Sequence, residues 1–190
     1  MIALVDYGAG NLGSVARAFA AIGHPVDITG DPRAVSRADR LILPGVGAFA
    51  SCRHNLADRG LIEPIQAHLA AGRPFLGICL GLQLLLEESE EEAADHTRPR
   101  GLGIFPGTVR LLPGPGKVPQ IGWNTLHVRP GHQVLGPADG RFVYFVHSYY
   151  ADPRDRSLIA AETTYGLTFP AVLGRDNILA CQFHPEKSGA

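Results

Sequence analysis

Cys79 stands between Gly77 and Gly81, where the apolar run Phe75-Leu76-Gly77-Ile78 meets leucines at 80, 82, 84, 85 and 86. That pattern expects a buried strand, a sharp turn and a buried helix over residues 80–87. A cysteine on such a turn is placed like a nucleophile. Small neighbours let the chain fold past itself, and a helix start favours the thiolate. The same residue can instead pack as a buried thiol, since free cysteine is among the most buried residue types. The choice turns on whether the chain also holds a base and a group to orient it.

The chain has 8 histidines. His24, His54, His68, His96, His127 and His132 fall in loops or on helix positions expected to be exposed. His147 closes the run Phe145-Val146-His147, and His184 closes Cys181-Gln182-Phe183-His184. His184 is the better base. Pro185 biases it toward an extended conformation, which places Glu186, two residues on, on the same side. A carboxylate there can fix the imidazole tautomer and stabilise its protonated form. Cys79, His184 and Glu186 then make a complete triad for nucleophilic attack on an acyl or amide carbon.

The elements that must position this triad follow from periodicity. Residues 2–5 read as a buried strand, followed by the turn Gly8-Ala9-Gly10 and a helix to about Ile22, with Leu12, Val15, Ala16, Phe19 and Ile22 on one face. Residues 26–29 and 40–43 read as further strands, 48–56 and 61–71 as helices. This rhythm expects a mostly parallel open sheet flanked by helices. The Gly8-Ala9-Gly10 turn lacks the third glycine of a dinucleotide site. The loop Pro44-Gly45-Val46-Gly47 should share the carboxyl edge of the sheet with Cys79, where ligands of open α/β sheets bind. Glu87 to Glu92 reads as a solvated helix end or loop. Beyond Gly101 prolines and glycines crowd residues 106–119, and residues 118–123, 142–150, 158–163, 171–173 and 178–183 read as short strands, with a hairpin turn at 174–177. The expectation is one domain over residues 1–190: an α/β first half carrying a β-rich second half.

Composition narrows the function. The 190 residues are 45% apolar and 18% charged with net charge −1, which fits a globular soluble chain and gives no basic stripe for nucleic acid or an acidic membrane. The apolar run at the N-terminus is too short for a signal peptide, and no run reaches membrane-span length. Cys52, Cys79 and Cys181 are odd in number and far apart, which argues against a disulfide framework and for a reducing, cytoplasmic compartment. No spacing of Cys or His marks a metal site.

Gly77-Ile78-Cys79-Leu80-Gly81-Leu82-Gln83 together with Phe183-His184-Pro185-Glu186 resembles the class I (triad) glutamine amidotransferases. Within that class, Asp6 to Ser14, Pro44 to Phe49, Ile121-Gly122-Trp123-Asn124, Val146-His147-Ser148-Tyr149 and Phe183 to Ser188 resemble the glutaminase subunits of imidazole glycerol phosphate synthase. Leu82 and Val46 fit this narrower family, because other branches often carry histidine and glycine there. The family usually continues a helical turn or two beyond the position of Ala190.

The resemblance implies hydrolysis of glutamine through a Cys79 thioester, with His184 moving the proton and no cofactor. It implies an oxyanion hole from the Leu80 N–H and a second donor at Val46 or Gly47, available after a peptide rearrangement. It maps glutamine binding onto Gly45, Gln83, Ser148 and Tyr149. It implies a (β/α)8-barrel cyclase partner in a heterodimer, receiving ammonia through a channel, with Asn11, Trp123, Tyr144 and Lys187 at the interface. Three other readings stay open on the residues alone: a glutaminase serving another synthase, a non-catalytic subunit that keeps the fold, and a cysteine hydrolase on a related fold.

Overall fold

The computed structural model describes residues 1–91, 96–113 and 117–189. Glu92, the last residue of the acidic run, and positions 114–116 of the Pro/Gly-rich stretch lie outside them.

The first half alternates strands and helices: β1 (Ile2–Val5), α1 (Leu12–Ala21), β2 (Asp27–Thr29), α2 (Pro32–Arg37), β3 (Arg40–Leu43), α3 (Phe49–Asp58), α4 (Ile62–Ala70), β4 (Phe75–Ile78) and α5 (Leu80–Gln83). The second half is β-rich: β5 (Glu88–Ser89), β6 (Gly107–Leu111), β7 (Gln120–Thr125), β8 (His127–Val128), β9 (Phe142–His147), β10 (Tyr149–Pro153), β11 (Ile159–Tyr165), β12 (Leu167–Arg175) and β13 (Ile178–Cys181). The main sheet has the order β2-β1-β3-β4-β13-β12-β11-β8. Its pairs are parallel from β2 through β13 and antiparallel from β13 to β8. A second sheet runs β10-β6-β5, and β7 pairs with β9 in a third. This is the expected fold class: a mostly parallel sheet flanked by helices, with extra strands in the second half.

Both faces of the central strands β1, β3, β4 and β13 are covered, so these strands read as nearly continuous apolar runs. Ala3, Val5, Leu41 and Leu43 enter one core, while Leu4, Ile42 and Ile78 enter the other. β1, β3, β4 and β13 run in one direction. The residues that follow their last positions, Asp6, Pro44, Cys79 and Gln182, therefore share one edge. An apolar cavity of about 540 Å³ lies at the opposite edge, lined by strand starts such as Ile2, Arg40, Phe75 and Ile178, and carries none of the triad.

Several elements differ from expectation. The helix after Cys79 stops at Gln83 instead of running to Glu87. Leu84, Leu85 and Leu86 are fully buried, and their carbonyls accept backbone hydrogen bonds from residues 102–105. Burying a leucine is worth roughly 2 kcal/mol, more than helix propensity offers per residue, so tertiary packing decides this segment. The apolar run 142–150 is two strands, not one. β9 pairs with β7 and β10 with β6, so the chain changes sheets at Ser148. β6 arises inside the Pro/Gly-rich stretch, and α2 starts from an Asp31 cap with proline at its N-terminus. His68, expected exposed, is buried, with Nε2 3.0 Å from the Pro74 carbonyl.

Candidate active site

Cys79 has φ 54° and ψ −107°, a conformation that costs a non-glycine residue about 1–3 kcal/mol. β4 enters this elbow and α5 leaves it, and both neighbouring glycines are required. A Cβ at Gly81 would lie 1.9 Å from the Leu43 carbonyl oxygen, and one at Gly77 would lie 2.9 Å from the Gly81 oxygen. The turn is fixed from β13, where the Cys181 carbonyl accepts from the Cys79 N–H at 2.8 Å. α5 has only four residues, so its macrodipole at the sulfur is small.

His184 follows β13. Its Nδ1 lies 2.9 Å from Glu186 Oε1, and both side chains are almost wholly buried. The route differs from the extended arrangement expected. His184 is extended, but Pro185–Lys187 is a 3₁₀ turn, and it is this turn that carries the carboxylate back to the ring. The Ser188 hydroxyl donates to the His184 carbonyl at 2.7 Å, and the His184 N–H donates to the Tyr144 carbonyl at 2.9 Å. His184 Nε2 has no hydrogen-bond partner among the described residues, yet the Cys79 sulfur is near enough to interact with it electrostatically. Burial works against the charged ring, but Cys79 and Glu186 together outweigh it, and the His184 pKa is pushed up to about 9. The imidazolium is therefore the form held beside the sulfur near neutrality.

These groups open onto a cleft of about 330 Å³, within the range of small-molecule sites. Of the residues expected to act here, Val46, Gly47, Cys79, Leu80, Gln83, Ser148, Tyr149 and His184 line it. Gly45 does not line the cleft. It is the buried base of the loop, and its carbonyl accepts from the Leu80 N–H at 3.3 Å. The first expected oxyanion donor is thus occupied by the loop expected to supply the second. The cleft floor joins two elements, for the Gln83 carboxamide nitrogen donates to the Tyr149 carbonyl at 2.8 Å and to Gln182 Oε1 at 3.1 Å.

Three lining or contacting residues were not read as part of the site. Gln182, fully buried, donates from Nε2 to the Cys79 sulfur at 3.6 Å. Glu91 lines the cleft, and its Oε2 accepts from the Phe49 N–H at 2.8 Å, capping α3 where Ala48 cannot. The acidic run is thus more than a solvated end. His147, weighed only as a base, lines the cleft with Nδ1 2.8 Å from the Tyr149 carbonyl, so Nδ1 carries the proton. Burial first, and then the His184 charge, push its pKa down to about 4, so it is a neutral acceptor whose Nε2 has no partner among the described residues. The signal for Gln182 was a lone amide in an apolar strand; Glu91 gave none beyond its charge.

The residues expected at a partner interface divide. Trp123 is 51% exposed and meets the Tyr144 ring edge-on at 5.8 Å. Lys187 Nζ sits 5.7 Å from the centre of the same ring. Asn11 is exposed and caps α1, accepting from the Ser14 N–H. Among the described residues no cluster of His, Cys, Asp and Glu could hold a metal ion, and no helix is long and apolar enough to cross a membrane.

A family model, Glutamine amidotransferase class-I, matches residues 3–190. The imidazole glycerol phosphate synthase subunit HisH of Syntrophotalea carbinolica is 50% identical, across 99% of this chain and 93% of its own length. The HisH subunit of Methanothermobacter thermautotrophicus is 49% identical, across 100% of this chain and 92% of its own. In three dimensions, a crystal structure of a glutamine amidotransferase superposes with a TM-score of 0.76 over 98% of this chain and 91% of that one, at 18% identity.

Proposed function

Because the chain belongs to the class-I glutamine amidotransferase family, we propose that it is the glutaminase subunit of imidazole glycerol phosphate synthase, in histidine biosynthesis. The observation that carries this reading is the meeting of a strained cysteine elbow with a His184–Glu186 pair, in a chain half identical to synthase subunits along its length.

In this reading the Cys79 thiolate attacks the side-chain carbonyl carbon of glutamine, and negative charge moves to the oxygen. As the tetrahedral intermediate collapses, the C–N bond breaks and His184 gives its proton to the departing nitrogen, releasing ammonia. A glutamyl thioester remains. The now neutral His184 takes a proton from water, whose oxygen attacks the thioester, and glutamate leaves with restoration of the thiolate and the imidazolium. Glu186 holds the ring throughout and stabilises its charge whenever the ring carries the proton. Leu80 N–H and a donor from Val46 or Gly47 stabilise the oxyanion, once the Gly45 carbonyl has left Leu80. Gln83, Ser148, Tyr149 and, in addition, Glu91 bind the amino-acid end of the substrate, an ammonium finding the Glu91 carboxylate.

Ammonia released into water at neutral pH is mostly protonated and no longer nucleophilic. The reading therefore includes a cytoplasmic heterodimer with a (β/α)8-barrel cyclase, which takes the ammonia through a dry channel and forms imidazole glycerol phosphate and an aminoimidazole carboxamide ribonucleotide. Trp123, Tyr144 and Lys187, with Asn11, form the docking patch. Glutamine hydrolysis by the chain alone, and with the nucleotide-loaded cyclase, tests the reading. Slow hydrolysis alone and fast hydrolysis in the complex are expected; no hydrolysis in either would sink it.

A further inference from the structure

Two buried side chains outside the cleft hold the oxyanion loop from beneath, and the inference drawn from them rests on the glutaminase reading above. The Tyr7 hydroxyl, fully buried, donates to the Pro44 carbonyl at 2.8 Å. The Cys52 thiol, also buried, donates to the Val46 carbonyl at 3.4 Å. These carbonyls belong to the peptide units just before and just after the Gly45–Val46 peptide, the one whose own carbonyl occupies the Leu80 N–H.

We propose that Tyr7 and Cys52 are positioning residues that pin the flanking peptides, so that the loop rearranges by rotation of the Gly45–Val46 peptide alone. That rotation withdraws the Gly45 carbonyl and presents the Val46 N–H beside the Leu80 N–H. A trans peptide plane can turn this way because the two soft torsions that flank it, ψ of Gly45 and φ of Val46, change in opposite senses. The neighbouring planes stay in place, and both pins persist in the two arrangements.

The surroundings fit a confined motion. A Cβ on Gly45 would lie 2.7 Å from both the Tyr7 hydroxyl and Leu80 Cβ, so Tyr7 walls the space in which the peptide turns. Gly47, at φ 99°, absorbs the chain direction after the second pin without side-chain strain. Burial raises the Tyr7 phenol and the Cys52 thiol above their usual values, and the two groups interact with each other. Each keeps the proton it donates across the neutral range. Precision matters here, since a donor misplaced by about 1 Å can cost roughly 10²-fold in rate.

Steady-state glutamine hydrolysis by the complex with its synthase partner tests the pins in wild type, Tyr7→Phe, Cys52→Ala and Cys52→Ser. Tyr7→Phe and Cys52→Ala should each lower kcat about tenfold with KM within about twofold, because oxyanion donors act in the transition state and not on bound glutamine. Cys52→Ser should restore kcat to within about threefold, because a hydroxyl donates to the same carbonyl. Unchanged kcat in both donor-deleted variants overturns the inference. So does a rise in KM that matches the fall in kcat, or a serine variant no better than alanine. If Tyr7→Phe does not fold, the Cys52→Ala and Cys52→Ser pair decides by itself. A wild-type complex that hydrolyses no glutamine overturns the glutaminase reading and this inference together, whereas equal rates in wild type and variants overturn this inference alone.

Discussion

The Gly45 carbonyl accepts the Leu80 N–H at 3.3 Å. On the proposed mechanism this bond must break before an oxyanion can be held. The isolated chain should therefore hydrolyse glutamine slowly, and loss of an oxyanion donor typically costs about 10²–10³ in kcat. Gly45→Ala should lock the loss in, because its Cβ would collide with Leu80 and Tyr7. Partner-stimulated glutaminase assays should show that fall in the variant, while ammonia-dependent synthesis by the complex stays near the wild-type rate.

Cys79→Ala separates chemistry from packing. Removing a nucleophile that acts as a unit with its base should lower glutamine-dependent synthesis by about 10⁴-fold or more. Synthesis from added ammonia should persist, since on the proposed reading the acceptor site lies on another chain. Loss of both activities would mean that Cys79 is structural.

The two cleft histidines should give stability opposite pH slopes. His184 is raised from 6.5 to about 9 by Cys79 and Glu186 against the pull of burial. The folded chain then binds the extra proton between those values, so this contribution is present below pH ~6.5 and lost as pH rises through ~9. His147 is lowered from 6.5 to about 4 by burial and by His184. There the unfolded chain binds the extra proton, so stability falls as pH drops from ~6.5 through ~4. Thermal unfolding across pH should show the alkaline slope flattened in His184→Gln and the acid slope flattened in His147→Gln.

Gly81→Ala should destabilise the fold by roughly 3 kcal/mol or more, because its Cβ would meet backbone and not a side chain that can move. For a chain of this length that is on the order of 10 °C in Tm. An unchanged melting curve would show that the elbow has more slack than its geometry indicates.

Trp123→Ala should weaken the synthase complex by about 2 kcal/mol, roughly 30-fold in Kd, with little change in folding stability. Its ring is half exposed and meets the Tyr144 ring edge-on. Titration calorimetry with the partner reads the first effect and thermal unfolding of the free chain the second. A large loss of stability would make Trp123 a core residue.

The elbow was legible in the sequence because its pattern is local, two glycines flanking one cysteine within five residues, although the Leu43 carbonyl that requires Gly81 lies far off in the chain. The His184–Glu186 contact was legible for the same reason, although the backbone reaches it by a 3₁₀ turn. Gln182 and Glu91 were not legible, because each acts through a partner about a hundred or some forty positions away in the chain. The leucines at 84–86 misled, since an apolar cluster packed by neighbouring loops has the same composition as a buried helix. The run 142–150 hid a change of sheet at Ser148, because apolar and aromatic residues continue on both sides of it and no glycine or proline marks the crossing.

The burial of Cys52 and Cys181 has a practical side. Both thiols are raised above their ordinary range, chiefly by burial, and neither lines the Cys79 cleft. Cys79 alone of the three cysteines does. A small electrophile shaped like glutamine would therefore mark each molecule once, and the mass of the labelled protein would count competent sites in a preparation without any engineered tag.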